Sequence, residues 1–478
     1  MTTVTGNDYY PKEPKGTKNQ YNINGNGKMG DDDKDAFLPP VKLEPGLDSL
    51  NRNPEEFDEL DPSEENAPPD RYRIVFFIML VHGIGILMPW NMLINAQAYF
   101  ENYKLAENTT EVNNLRSNFM FSIGIASQVP NFIMSGVNAF VQCGGQASPR
   151  RIAISIVIMT MIFIGTVVLA MLDSSTWSVE FFYITMIMAA VLNMATGVYQ
   201  NSTFGLAAIL PMKYTNAIVL GNNLSGVFIA VINLVCLALA PDPRTQAIYY
   251  FVTAIVILLV AFDAYFLLPV TNFYKYYKDM VARKQKHHHN TSRTCSQTCG
   301  MYLMVFKKIW VQAVSVWFVF FVTLAIFPGV WANIKRIDFP LEDQYWAPIF
   351  CFLSFNLFAF LGNLTSEFIR VPGHRWVWIP VAIRGLLIPF FLMCNFKPEE
   401  RIFDVLIEND YIYIVGGVVL GFTSGYFSSL CMMYGPKLVD QQYAGTAGMI
   451  MAFFLVLGIG TGVNFSLVLG LLTTRPVA

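Results

Sequence analysis

Downstream of Arg71 the chain is a succession of apolar runs, each about 20 residues long and separated by shorter polar stretches. The runs fall near 74–96, 117–141, 152–172, 180–210, 216–240, 246–269, 311–333, 345–369, 376–396, 411–434 and 446–472. About 20 apolar residues in helical form cross some 30 Å of hydrocarbon, so the pattern predicts about eleven membrane-spanning helices. The fourth and last runs exceed one straight crossing, and tilt or a kink absorbs the excess. Residues 1–70 are of a different kind, rich in Asn, Gly, Pro, Asp and Glu, with acidic clusters at Asp31–Asp35 and Glu55–Glu65. Such a segment cannot bury enough apolar area to fold and reads as a disordered acidic tail. It lacks the apolar core of a signal peptide, which leaves the first spanning helix as the insertion signal.

Composition agrees with this reading. Of 478 residues, 54% are hydrophobic and only 14% charged, and the mean hydropathy is +0.42. Soluble domains carry about 25% charged residues. The fold class expected is therefore an all-α polytopic membrane protein. A net charge of −2 names no partner and gives no basis for binding nucleic acid. The seven cysteines form no disulfide framework. Cys236, Cys351, Cys394 and Cys431 lie inside apolar runs, where cysteine acts as a small hydrophobe.

The basic residues set an orientation. Arg71 and Arg73 precede the first run, Arg150 and Arg151 follow the second, and Lys213 follows the fourth. Lys275, Lys278, Arg283, Lys284, Lys286, Arg293, Lys307 and Lys308 follow the sixth, Arg370, His374 and Arg375 the eighth, and Lys437 the tenth. These are alternate loops on one side, which places the N-terminus in the cytoplasm and the C-terminus outside. Asn108 heads a glycosylation sequon on the expected outer side. A cytoplasmic, basic linker loop over 271–310 divides the spans six plus five, into bundles over 71–270 and 311–478. Two bundles joined this way is the layout of rocking transporters.

Polar side chains inside spans are costly and face a bundle interior or a cavity. Here they are mostly uncharged: Asn91 in the first run; Ser127, Gln128, Asn131 and Asn138 around Pro130 in the second; Gln200 in the fourth; Asn222 and Asn223 between Gly221 and Gly226 in the fifth; Asn356 in the eighth. Amides suit a polar, neutral, hydrogen-bonding solute better than an ion, which calls for rings of charge. Each also has a plainer role as interhelical glue or close packing. The run GILMPWN raises the same choice: Trp90 is either a membrane-belt anchor or an aromatic face turned into a cavity where Pro89 frees a carbonyl and bends the helix. His82 and Asp263 are the titratable groups to weigh as proton or cation sites, against packing for His82 and an interfacial position for Asp263. Arg384 is a charge inside the ninth run. His287–His289 with Cys295 and Cys299 lack the spacing of an established zinc motif. With no paired carboxylates within a span, no HExxH and no nucleophile motif, the chain is not read as an enzyme, and no cofactor is implied.

Several stretches then carry a resemblance. GILMPWN (85–91), QNSTFGLAAILPMKYTNAIVLGNNLSG (200–226), FPGV (327–330), CFLSFNLFAFLG (351–362), RGLLIPFFLMCNFKP (384–398), GYFSSLCMMYGPKLV (425–439) and AGTAGMIMAFFLVLGIGTG (444–462) resemble, in order, the helices of the equilibrative nucleoside transporters. The resemblance covers nearly everything after Arg71. It implies a major-facilitator-like fold and facilitated diffusion of nucleosides, with nucleobases as additional cargo, by alternating access. Its cavity lining implies Leu87, Trp90 and Ile94, Gln128 and Asn131, Gln200, Phe327, Phe352 and Asn356, and Ile459, with Leu87 and Ile459 as gates. Pro89, Asn91, Pro130, Gly221, Gly226 and Arg384 would shape or gate the path. One departure stands out. Where the family's eighth helix usually reads Phe-Asn-x-x-Asp-x-x-Gly-Arg, this chain has Ala359 and Asn363 at the acid and base positions. Losing both leaves no orphan charge, but it puts ribose recognition in question. The competing readings are an organic-cation carrier using Asp263 or Glu180, and a nutrient receptor without flux. The plasma membrane is the default location and an intracellular membrane the alternative. Lipid and the solute are the only partners expected, with no obligate protein partner.

Overall fold

The computed structural model describes residues 67–96, 99–106, 109–117, 119–140, 149–174, 176–239, 242–288, 295–398 and 401–473. The predicted acidic tail up to residue 66, the Asn108 sequon and the side chains of His287–His289, Cys295 and Cys299 lie outside what is described.

Fifteen α-helices run through the described residues: α1 Ile74–Asn95, α2 Thr110–Ser117, α3 Phe119–Phe140, α4 Pro149–Met171, α5 Ser178–Ala207, α6 Met212–Leu239, α7 Pro243–Leu267, α8 Asn272–His288, α9 Cys295–Ile326, α10 Asp343–Ala347, α11 Ser354–Phe368, α12 Trp378–Ile383, α13 Leu387–Met393, α14 Asp410–Lys437 and α15 Gln441–Thr473. Single π-helical turns at Tyr99–Lys104 and Pro348–Leu353 follow α1 and precede α11. Among the described residues, nine helical stretches are long and apolar enough to cross a membrane. The chain is a multi-pass, all-α membrane protein.

Local chemistry sets the ends. The Asp70 carboxylate accepts the Val75 and Phe76 N–H groups at the start of α1, and Asp242 with Pro243 opens α7. Asn409 caps α14 by accepting the Tyr411 N–H at 2.9 Å. The C-terminal carbonyls of α4 are met by cations: Arg244 donates to Ala170 and Met171, and Lys104 to Leu172, as the helix dipole favours. Lys104 also lies against the rings of Tyr99, Tyr103 and Phe181. Burial, then the neighbouring Arg244, holds its ammonium below the usual lysine range.

Two expectations change. The linker anticipated as a loop over 271–310 is helical in its described part, forming α8 and the first turns of α9. Phe273, Tyr274, Tyr277 and Val281 recur at helical spacing and are buried, while Lys275, Lys278 and Arg283 stay exposed. The ninth run is a broken helix, α12 and α13, joined by a 3₁₀ turn at Arg384–Leu386.

Packing depends on small residues. α1 meets α6 where Gly83 faces Gly221: a Cβ on Gly221 would fall 2.2 Å from the Leu80 carbonyl oxygen. α11 meets α14 the same way, Gly425 lying against the backbone of Ala359. Elsewhere α1 also packs on α7, α4 on α5 and α7, α3 on α5, and α9 on α14 and α15. These two sets of helices meet through α5–α15, α3–α15, α6–α11 and α6–α14.

Gly221→Val places a branched side chain where a carbonyl already sits. It is expected to cost about 1–3 kcal/mol of stability and to lower the thermal midpoint of the detergent-purified protein, whereas the exposed substitution Val231→Ala leaves it unchanged.

Candidate functional site

The expected site residues divide by what the helices do with them. On α1, Pro89 is buried, and the helix continues through it to Asn95. Leu87 and Trp90 are half-buried beside it. Asn91 Nδ2 donates to Ser225 Oγ on α6 at 3.4 Å, a crosslink at the residue next to Gly226. Ile94 lies in α1, but its side chain is outside the described residues.

On α3, a polar face runs the length of the helix against α5. Its end near residue 140 is fully engaged. Asn201 Nδ2 donates to the Ser135 carbonyl at 2.7 Å and Ser135 Oγ to Asn201 Oδ1 at 3.0 Å. Asn138 donates to Ser202 Oγ and to the Val198 carbonyl, and receives from Arg151. One turn past Ser135 the engagement stops. Asn131 Oδ1 and, a further turn on, Ser127 Oγ are buried and have no hydrogen-bond partner among the described residues. Asn131 lies against Gly197 of α5, with Gln200 buried one turn beyond Gly197. Pro130 and Gln128 are half-buried on the same stretch of α3.

The second set of helices contributes an aromatic wall. Phe327 stacks on Phe355, ring centroids 4.3 Å apart, and meets Phe352 edge-on at 5.5 Å. Phe352 sits in the π-helical turn, an irregularity frequent at functional sites. Asn356 follows one turn later and donates Nδ2 to the Phe352 carbonyl at 2.9 Å. Its Oδ1 lies in the notch of Gly226 on α6, where a Cβ would come within 1.9 Å. The amide of Asn356 therefore joins the two sets of helices directly. Ile459 on α15 is partly buried at the edge of the main apolar core.

Arg384, His82 and Asp263 complete the expected set. Arg384 is buried and donates to Thr423 Oγ1, Thr323 Oγ1 and the carbonyls of Val319 and Leu420. It ties the break in the ninth run to α9 and α14. His82 is buried with Nδ1 2.8 Å from the Tyr199 hydroxyl. Asp263 is exposed on α7.

A second polar cluster went unmarked in the sequence. Asn216, in the first turns of α6, donates to Glu367 Oε2 at 3.0 Å and accepts from Ser366. Asn363 donates to the Val219 carbonyl at 3.1 Å and accepts from Ser429 at 2.7 Å. Asn216 and Glu367 stand at the ends of apolar runs, where polar residues are expected at the headgroups, so only the fold pairs them. Asn363 is engaged at both ends of its amide, and Ala359 is packed on α14, so neither is turned to a solute.

Comparison with known proteins now decides the family. The family model described as Nucleoside transporter matches residues 186–471. The human protein Equilibrative nucleoside transporter 1 is 31% identical over 451 residues, covering 84% of this chain and 98% of its own length. The chain belongs to the equilibrative nucleoside transporter family. A second family member, the rat Equilibrative nucleoside transporter 3, is 29% identical over 421 residues, covering 83% of this chain and 88% of its own. Among solved structures the fold is similar to the major facilitator superfamily proton:xylose symporter XylE, with a TM-score of 0.55 at 10% identity, covering 84% of this chain and 90% of that one. It is similar also to the major facilitator superfamily transporter FucP, with a TM-score of 0.50 at 12% identity, covering 83% and 91%. This transporter-family chain thus has a major-facilitator-like fold.

Gly226→Ala is expected to cut transport at least fivefold by driving Asn356 out of its notch. Gly226→Ala combined with Asn356→Ala should recover part of the loss. A double variant no better than the sum of the two singles would place the defect elsewhere.

Proposed function

We propose that this chain carries nucleosides across a membrane by facilitated, sodium-independent diffusion. The observation that carries this reading is its 31% identity, over 84% of its length, to a human equilibrative nucleoside transporter. The site supports it chemically. A nucleobase offers flat faces to Trp90, Phe327 and Phe352 and a donor–acceptor edge to Gln200, whose amide does both jobs. Asn131, whose Oδ1 has no partner among the described residues, and Asn356, once unseated from Gly226, are proposed to take sugar hydroxyls, with Gln128 as a further contact and Leu87, Ile94 and Ile459 proposed to narrow the path. Free nucleobases present the same faces and edges and are proposed as further cargo. An amine carrier would need an acid in the path, and both Asp263 and Glu180 are on exposed faces.

Eleven spans, six plus five, are the proposed topology. To the nine strongly apolar stretches are added α3, 22 residues long but made less apolar by Gln128, Asn131 and Asn138, and the broken pair α12–α13, over Trp378–Met393. The basic residues Arg71, Arg73, Lys213, Lys275 and Arg375 then share the cytoplasmic side, and Asn108 lies outside as a glycan acceptor. The proposed domains are the tail 1–70, the bundles 71–270 and 311–478, and the linker 271–310, at the plasma membrane. With that orientation, the Asn216–Glu367 and Asn363–Val219 contacts lie toward the cytoplasm and close that side, while Asn356 and Gly226 meet nearer the middle. Transport proceeds as the contacts open and the bundles rock about the site.

Uptake of labelled adenosine and uridine by cells expressing the chain should be saturable and the same with or without sodium. Trp90→Ala should raise KM about tenfold, the loss of one base–aromatic stack, with surface expression unchanged. Unchanged KM would make Trp90 a belt anchor only.

A further inference from the structure

The segment between α11 and α12, from Ile369 to Val377, is fixed from three directions. Tyr426 of α14 donates its hydroxyl to the backbone carbonyls of Ile369 and Val371 and accepts from the Val371 N–H. Tyr434, two turns on, donates to the carbonyls of Arg370 and Pro372. Gln312 of α9 donates Nε2 to the His374 carbonyl at 2.6 Å. Val377 is fully buried behind it.

This tethered segment and the residues flanking it turn large apolar side chains outward. Phe368 is 79% exposed, Val371 69%, Trp376 62% and Trp378 50%. Cations sit among them. Arg375 is exposed between His374 and Trp376, and Arg370 is half-buried. Lys308 lies one turn before Gln312 on the same face of α9, the helix that Gln312 ties to the segment, with Lys307 exposed next to it. The adjoining acid, Glu367, is taken up by Asn216. His374 adds no charge of its own, because burial and the neighbouring Arg375 hold its imidazolium below the usual histidine range.

We infer that this shelf is a seat for an anionic phospholipid of the cytoplasmic leaflet. Trp376, Trp378 and Phe368 would take the acyl chain and glycerol level, where tryptophan partitions, and Lys308 and Arg375 would pair with the phosphate and the headgroup carboxylate. The charge is what selects the lipid: a zwitterionic headgroup balances its phosphate with its own cationic nitrogen, whereas the serine headgroup adds a carboxylate and keeps a net negative charge for Lys308 and Arg375. Rigidity matters because the hydroxyls of Tyr426 and Tyr434 have already ordered the backbone, so a lipid binds without the cost of fixing a loop.

The inference rests on the membrane disposition proposed above, and its test is independent of sidedness. The purified full-length protein in neutral detergent is titrated with dansyl-labelled phosphatidylserine or phosphatidylcholine, reading energy transfer from tryptophan. The serine lipid should saturate and bind about tenfold or more tightly. Lys308→Gln with Arg375→Gln should abolish that preference, the charge-keeping pair Lys308→Arg with Arg375→Lys should retain it, and Lys278→Gln on exposed α8 should leave it unchanged. Glycerophosphoserine, which lacks acyl chains, should not compete. Should the glutamine pair fail to fold, Arg375→Gln alone carries the test, with a loss of about fivefold. Equal affinity for both lipids, no effect of the glutamine substitutions, an equal loss with Lys278→Gln, or displacement by inorganic phosphate would each overturn the assignment. Sidedness is read separately, by external thiol labelling of Lys278→Cys against the unsubstituted protein.

Discussion

The cost of an unpaired polar group in hydrocarbon governs this molecule from end to end. Where polar side chains are to stay fixed, the fold gives them protein partners: Arg384 has four, Asn138 bonds Ser202, Val198 and Arg151, and His82 bonds Tyr199. Where they are left over, the position is informative. Along α3 the change from engaged to unengaged takes a single turn, between Ser135 and Asn131. The same desolvation that makes Ser135 and Asn201 a strong crosslink makes Asn131 an invitation to a hydrogen-bonding solute. The engaged Ser135 and the unengaged Asn131 are thus two outcomes of one energetic rule on one helix face.

The rule also explains why the two sets of helices meet through neutral groups. Asn216 with Asn363 and Ser366, and Asn363 with the Val219 carbonyl, exchange hydrogen bonds worth about 1 kcal/mol each in the membrane. Charged pairs would demand full desolvation each time the contact formed and would leave costly orphans each time it broke. Glu367 is the one acid in the cluster, and it stands in the last turn of α11, where water or headgroups can take over from Asn216. A carrier must break such contacts in every cycle, and modest, neutral bonds keep that step shallow.

Much of this was legible before any coordinates. The apolar runs located the spanning helices because hydropathy follows directly from the solvent, and the motif around Pro89, Trp90 and Asn91 pointed to the family. The helical linker was harder. Its apolar residues, Phe273, Tyr274, Tyr277 and Val281, are diluted by eight lysines and arginines over 271–310, so an average over the segment reads as loop while its period reads as helix. The roles of Arg384 and Asp263 depended on rotation about the helix axis. A span's sequence reports that a charge is present but not whether it faces neighbours, as Arg384 does, or the outside, as Asp263 does. Asn216 and Glu367 are 151 residues apart and sit at helix ends, so nothing local marks them as partners.

The meeting of Asn356 and Gly226 has a mechanical consequence. A carbonyl oxygen seated in the space of one missing methyl group is held only over a displacement of about that size. It acts as a detent: a small rotation of one bundle unseats it entirely, and no intermediate position retains part of the contact. Close-packed surfaces of this kind favour discrete arrangements over continuous deformation. Click-like switching between two stable poses, with little time spent between them, keeps a facilitator from ever being open to both sides at once.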